Sequence, residues 1–493
     1  MRNVVAGLLM GSVVAGCAAS TAPLPGSAAG PARSDASPAA DPGKVAVVAG
    51  PEVTPAAPGA GEPEAGAKAA TGPWIGAAGA SDFVLPGTRD TQLGVWIDVP
   101  GSLRRVRAPA AVAVVVDTSG SMAGLKIEHA RQAARTFVQR LADGDIVSVA
   151  SFGDEAIERV PPTVLNTSTR ADVLRAIASL TPTGGTNMFD GLRIGEGRAV
   201  NAPATHAVRR VVLISDGQAN VGPSSPEVLG ALAQRGADRG VQVTSLGVGT
   251  DYDERTLNAL AVGSSGRLYH IEDSSQMASI MEKELQLLQS TAATDAFVEI
   301  VPAPGVQLLG ADGVRADWSN GSLRVPLGTM FGGQHREMLV RVRLTAPAEG
   351  THALASVRLH FRDPGDGNLE RVQEVVARYQ VTGDPMAIAS HQNARTQTIA
   401  AVFEAGKAAV DAAQQVNAGQ FEAADKQLAA AETRLRETAA QTKSEPEKKR
   451  AMAAASTMAT VRTQARAAAA KPAPARRKDA LDMNSSGMKE MGF

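Results

Sequence analysis

Four short apolar runs, Ala111–Val116, Ile146–Ala150, Val208–Ile214 and Val241–Val248, recur between about Ala110 and Gln289, with helical patterns between them. The runs are continuous rather than alternating, as in strands covered on both faces, and this restricts them to a parallel sheet between two layers of helices. Ala130, Ala133, Ala134, Phe137, Val138 and Leu141 repeat at the spacing of one helix face, and Asp143-Gly144 closes that helix. Thr169 and Asp172 predict a capping box ahead of Val173, Leu174, Ile177 and Leu180. The fold class that follows is α/β, with a doubly wound and mainly parallel sheet. In such sheets ligands bind in the crevice beyond the carboxyl ends of the strands, so chemistry is expected in the loops that follow them.

The loop after the first run reads Asp117-Thr118-Ser119-Gly120-Ser121, where spacing by two in a near-extended segment aims Asp117, Ser119 and Ser121 the same way. Gly184-Gly185-Thr186-Asn187 offers a further hydroxyl at a helix start, and the run Val208–Ile214 ends in Ser215-Asp216-Gly217. Singly, such residues cap helices or make turns; jointly they collect on one edge of the sheet. The constellation resembles the von Willebrand factor type A domain and its metal-ion-dependent adhesion site, an Asp-x-Ser-x-Ser motif with a distant Thr and a distant Asp. The resemblance implies that Ser119, Ser121 and Thr186 ligate a metal by hydroxyl, while Asp117 and Asp216 hold coordinated waters and orient the serines. Hard oxygen donors with retained water suit Mg2+, with Mn2+ or Ca2+ as substitutes, and do not suit zinc.

Neutral hydroxyl ligands would leave the cation much of its charge and an exchangeable position, which an Asp or Glu of a protein partner would complete; the resemblance implies the same. A hydrolase would want a nucleophile and a base near the metal. The seven histidines, His129, His206, His270, His335, His352, His360 and His391, are scattered without metal-ligand spacing. Asp251, Asp253 and Glu254 follow the Val241 run and read as helix-capping residues rather than a second metal site. The expected function is therefore non-enzymatic adhesion, scaffolding or assembly, with no small-molecule substrate. The alternatives are a Mg2+-dependent hydrolase and a structural tether with a vestigial site.

The chain of 493 residues has one cysteine, which excludes internal disulfides and metal sites built from several thiolates. Met1-Arg2-Asn3 precedes an uncharged stretch, Val4 to Ala19, too short to cross a bilayer as a helix. It contains Val14-Ala15-Gly16-Cys17, which resembles a bacterial lipoprotein signal, so residues 1–17 are expected to be a signal peptide with a lipidated Cys17. Ala18 in the following position implies sorting to the outer membrane. Residues 18–80 hold 21 Ala, 10 Gly and 10 Pro, too few large apolar groups to offset the entropy of ordering, and read as a disordered tether. A flexible chain of that length spans on the order of 45 Å. Forty-nine Lys and Arg against fifty Asp and Glu, with aromatics at 3%, argue against nucleic acid as a partner.

The adhesion-type domain is expected over residues 108–290. Around it the pattern changes to period two: Leu93–Val99 on one side, and on the other Phe297–Val301, Leu323–Val325, Met338–Leu344, Ser356–Phe361 and Val372–Tyr379. Residues 82–107 and 291–382 are accordingly read as one antiparallel sandwich into which the α/β domain is inserted. The flanks resemble those of bacterial proteins of von Willebrand type A or calcium-activated chloride channel-like architecture, and the predicted arrangement is also similar to inter-alpha-trypsin inhibitor heavy chains. Residues 384–470 are Ala-rich and helical, with an αα-hairpin about Asn417-Ala418-Gly419 and a third helix from Glu445 to about Ala470. Residues 471–493 are expected to be disordered. Lys443 to Glu490 carries 11 basic and 5 acidic side chains and reads as a solvated, frayed tail.

Overall fold

The computed structural model describes residues 46–49, 73–101, 107–216, 218–347 and 349–492. The expected signal segment, Cys17 and most of the expected tether lie outside the described residues. The first strands are β1 (Ala46–Ala49), β2 (Ile75–Gly79), β3 (Phe83–Val84) and β4 (Gly87–Asp98). Reading all of residues 18–80 as a tether is therefore incorrect at its C-terminal end. Trp74 and Ile75 are buried, the Trp74 ring stacks on Phe361 with centroids 4.6 Å apart, and β2 pairs antiparallel with β4. Gly76 serves close packing rather than flexibility, since a Cβ there would lie 2.2 Å from Trp96 Nε1. Average composition hides one apolar pair inside an Ala/Gly/Pro run.

The α/β domain runs β5 (Ala110–Asp117), α1 (Leu125–Arg140), β6 (Ile146–Phe152), β7 (Ala156–Val164), α2 (Thr167–Ala178), α3 (Met188–Val200), β8 (Val208–Ser215), α4 (Pro226–Ala237), β9 (Val241–Val248), α5 (Glu254–Ser264), β10 (Arg267–Ile271) and α6 (Met277–Gln289). Its sheet has the order β10-β9-β8-β5-β6-β7, parallel except for the β6/β7 pair. Every residue of β5, β6 and β9 is buried. Helices α1, α2 and α6 cover one face, and α3, α4 and α5 the other. The capping box of α2 lies three residues earlier than expected: Asn166 Oδ1 accepts from the Thr169 amide, and Thr169 Oγ1 from the Asn166 amide, while Asp172 pairs with Arg175. Asn caps as well as Thr does, and here it is the residue with β-region backbone angles.

The chain then forms β11 (Thr291–Pro302), β12 (Val306–Asp312), β13 (Asp317–Ser319), β14 (Ser322–Phe331), β15 (His335–Ala346), β16 (Gly350–Asp363) and β17 (Leu369–Val381). These and the first strands make two sheets, β1-β17-β16-β11-β14-β13 with β3 beside β17, and β12-β15-β4-β2. Strand β4 pairs with β15 along its whole length, from Gly87 against Ala346 to Asp98 against His335, so the α/β domain interrupts the sandwich between two paired strands. Leu93, Val95 and Ile97 of β4 bury their side chains with Val298, Ile300, Val340, Val342, Val357 and Leu359 between the sheets.

Helices α7 (Pro385–Ser390), α8 (Ala394–Asn417), α9 (Phe421–Gln441), α10 (Glu445–Ala468) and α11 (Ala473–Glu490) follow. Helix α8 docks on the sandwich, where Thr396 Oγ1 donates to Ala78 O and a Cβ on Gly94 would lie 2.7 Å from that hydroxyl. The expectation of disorder over 471–493 is incorrect for Ala473–Glu490. Helix α11 returns along α8, where Gly406 and Gly487 allow the backbones to meet: a Cβ on Gly487 would lie 2.5 Å from Gly406 O. The basic segment is not a free tail either, because Arg450 pairs with Glu337, Arg462 and Arg466 with Asp425, and Lys471 with Asp479. Among the described residues no helix is long and apolar enough to cross a membrane.

Candidate functional site

Strand β5 ends in Asp117 and its neighbour β8 in Ser215, with Val116 opposite Ile214 in the register. From β5 the chain steps to β6 on one side and later to β8, β9 and β10 on the other, so the β5/β8 boundary is where strand order reverses, the place at which open α/β sheets bind ligands. The residues picked out along the sequence meet here. Ser119 N donates to Asp117 Oδ1 (2.8 Å) and Ser215 Oγ to Asp117 Oδ2 (2.6 Å). The Ser119 and Ser121 hydroxyls are 3.0 Å apart, and Ser121 Oγ donates to Asp216 Oδ1 at 2.8 Å. Asp117 is thus tied to Ser119 through the main-chain amide, and the Ser119 and Ser121 hydroxyls continue the series to Asp216. Both carboxylates are fully buried, whereas Ser121, between Ser119 and Asp216, is exposed, so the series opens to solvent at that hydroxyl.

Thr186 belongs to a separate loop, held to the others through the main chain. Gly120 N donates to Gly184 O (3.0 Å), joining the loop after β5 to the one before α3. Asn220 then clasps Thr186 from the loop after β8, its Oδ1 accepting from Thr186 N at 2.8 Å and its amide donating to Thr186 O at 3.1 Å. Gly184 has φ +70°, and a Cβ there would lie 1.9 Å from Asp154 Oδ2; only glycine permits this turn. Asp154 Oδ1 in turn accepts from Gly185 N at 2.7 Å.

The donor set consists of hydroxyls and two carboxylates. Burial pushes the Asp117 carboxyl up to about 6; hydrogen bonds from Ser119 and Ser215 hold it down in part, and the charge on Asp216 adds to the rise. Two facing carboxylates in a desolvated crevice favour a nearby cation, and oxygen donors of this kind fit a hard divalent ion. Among the described residues no cluster of three or more His, Cys, Asp or Glu side chains offers a softer alternative. Asp253 caps α5 by accepting from the Arg255 amide, and Glu254 is bound by Arg477 of α11. His129 hydrogen-bonds Ser274, and His270 the Tyr252 hydroxyl.

Three contributors escape the sequence reading. Ser215 anchors Asp117, Asn220 anchors Thr186, and the Lys126 ammonium forms an ion pair with Asp216 Oδ2. A lysine in the first turn of a helix opposes the helix dipole, and that local conflict is the signal that could have marked Lys126.

Residues 111–283 match the family model for the von Willebrand factor type A domain. An uncharacterized Synechocystis protein, sll0103, is 26% identical over 293 residues, which cover 57% of this chain and 68% of that protein. Mouse inter-alpha-trypsin inhibitor heavy chain H2 is 28% identical over 34% of this chain, a stretch that spans only 19% of the heavy chain. Among solved structures, a von Willebrand factor type A protein from Catenulispora acidiphila superposes with a TM-score of 0.67 at 17% identity, covering 84% of this chain and 96% of that one. The ArnB paralog VWA2 from Sulfolobus acidocaldarius gives 0.54 at 16% identity over 81% and 99%. At these identities the likeness is one of fold, and it extends well beyond the α/β domain.

Proposed function

Because residues 111–283 form a von Willebrand factor type A domain carried on a longer chain, we propose that the protein is a non-enzymatic binding module that docks a carboxylate of a protein partner through a divalent cation. The observation that carries this reading is the hydrogen-bonded series Asp117, Ser119, Ser121 and Asp216 at the strand-order reversal, buried at its carboxylates and open at Ser121. Ser119, Ser121 and Thr186 would hold the cation directly, and Asp117 and Asp216 would act through water, in accord with Mg2+ and with Mn2+ or Ca2+ as substitutes. The ion supplies an electrophilic position that an Asp or Glu side chain can fill. The protein's part is positioning: Ser215 fixes Asp117, and Asn220 fixes Thr186, so the donors are set before a ligand arrives. With a lipid on Cys17 the module would act in assembly or attachment at the bacterial cell envelope, at the outer membrane by the residue that follows.

Titration calorimetry with MgCl2 tests the site. The full chain should bind one equivalent, and Asp117→Asn or Asp216→Asn should abolish it while leaving the far-UV spectrum unchanged. Immobilised protein should recover a partner from envelope extract in Mg2+ and lose it in EDTA. Equal recovery by wild type and Asp117→Asn, with and without EDTA, would sink metal-mediated docking.

A further inference from the structure

Asp216 has both carboxylate oxygens engaged. Ser121 donates to Oδ1, and the Lys126 ammonium binds Oδ2 from the first turn of α1. The acid is fully buried, and the Lys126 side chain is 30% exposed, so the lysine reaches inward from the mouth of the crevice. Its end lies beside the loop after β9, where a Cβ on Gly249 would come within 3.9 Å of both Cε and Nζ. Lys126 thus reaches from α1 to Asp216 in the loop after β8 and lies beside the loop after β9. The placement runs against the dipole of α1, whose exposed N-terminal amides already favour negative charge. Asp216 is what compensates the lysine there.

We propose that Lys126 is a built-in counter-ion that restrains cation binding at Asp216 and makes occupancy of the site depend on an acidic ligand. The inference rests on the reading above that the crevice takes a divalent cation. Without metal, the two carboxylates and one ammonium leave one negative charge in the crevice. A divalent ion added beside Lys126 turns that into one positive charge, and an incoming carboxylate restores neutrality. The ammonium therefore opposes the ion alone more strongly than the ion together with its ligand. By linkage, the ligand then tightens the hold on the metal as much as the metal tightens the hold on the ligand. Charges within about 4–6 Å alter one another's equilibria by tenfold or more, which sets the scale of the effect.

The test is Mg2+ titration calorimetry on the full chain with Lys126→Met, Lys126→Gln and Lys126→Arg, each checked for a cooperative melt in EDTA. The expected result is about tenfold tighter Mg2+ binding by the Met and Gln variants, with Arg close to wild type. Adding acetate as a carboxylate probe should tighten Mg2+ binding to wild type and do so less for the two neutral variants. Lys126→Gln keeps a hydrogen-bond donor toward Asp216, so it reports on charge even where the Met variant fails to fold. Unchanged or weaker Mg2+ binding by folded Lys126→Gln overturns the counter-ion role while the metal site stands. Absence of Mg2+ binding in wild type and variants alike removes both the role and the site.

Discussion

Glu284 lies on the inner face of α6 with no exposure, and it survives there because its neighbours are built for it. Arg210 Nη1 donates to it at 2.8 Å, Thr244 Oγ1 at 2.9 Å and the Tyr269 hydroxyl at 2.7 Å. Phe331 of the sandwich packs beneath the Arg210 and Arg267 guanidinium groups, so the cluster joins the two domains. A buried pair of this kind gives little net stability but is costly to break on one side. Glu337 joins the sandwich to the helices in a similar way, meeting Arg450 of α10 on one side and His335 on the other, and His335 also pairs with Asp98 of β4. Burial would lower His335, but hydrogen bonds to Asp98 and Glu337 outweigh it and raise the imidazole to about 9. The folded value exceeds the ordinary 6.5, so the stabilisation is fully present below 6.5 and is lost as pH rises through about 9. Urea denaturation should therefore show His335→Gln less stable than wild type at about pH 6, with the gap closing by about pH 10. A gap independent of pH would mean that His335 acts by packing alone. Of the residues in the proposed site, Asp117, Ser119, Ser121, Thr186 and Asp216 could be singled out in the sequence because each sits at a strand end or helix entry. Lys126 and Asn220 were not, since nothing local says which partner a lysine in a first helical turn or an asparagine in a loop will reach.

At the scale of elements, α11 departs furthest from expectation. Its segment, Ala473–Glu490, is polar and has no sustained apolar stripe, yet Leu481 is 1% exposed within the core beside α5. Asn258 and Asn484 exchange amide hydrogen bonds at 3.0 and 3.3 Å, Arg477 binds Tyr252 O at 2.8 Å and pairs with Glu254, and Lys478 binds Glu272. The helix therefore fastens the loop after β9, one strand over from Asp216. Leu481→Ala should cost about 2–3 kcal/mol in urea unfolding. It should also speed amide exchange over Gly249–Asp253 while leaving β6 protected; unaltered exchange in that loop would mean that α11 does not restrain it. Strand β7 escaped notice for a different reason. Pro161 and Pro162 interrupt its pattern, and they are tolerated because β7 is an edge strand whose register against β6 shifts there, Val160 lying opposite Val149 and Thr163 opposite Val147, so neither proline sits in a paired position. Strand β10, at the other edge, buries only Leu268 and Ile271 and so lacks the continuous apolar run that marks the interior strands.

For the whole molecule the decisive feature is nesting. Pro100 O and Ser290 O, at the two ends of the α/β insertion, both lie 3.6 Å from the point a Cβ on Gly332 would occupy, so the insertion leaves and re-enters the sandwich at one place. Joining Pro100 to Thr291 through a short Gly-Ser linker should therefore give a chain that folds, since closing a short loop between adjacent ends costs little. Size-exclusion chromatography and a cooperative far-UV melt are the readouts, and an expanded species without a transition would show that the sandwich needs the inserted domain. The sequence by itself determined the doubly wound sheet, the sandwich strands around it and the oxygen-rich loops, because strand period, helix face and turn chemistry are written within a few residues of where they act. Only the tertiary structure decided which charges meet. Lys126 finds Asp216 across 90 positions, and Arg477 finds Glu254 across 223, so a lysine in a helix turn and a basic C-terminal segment acquire their roles from surfaces that exist only after folding.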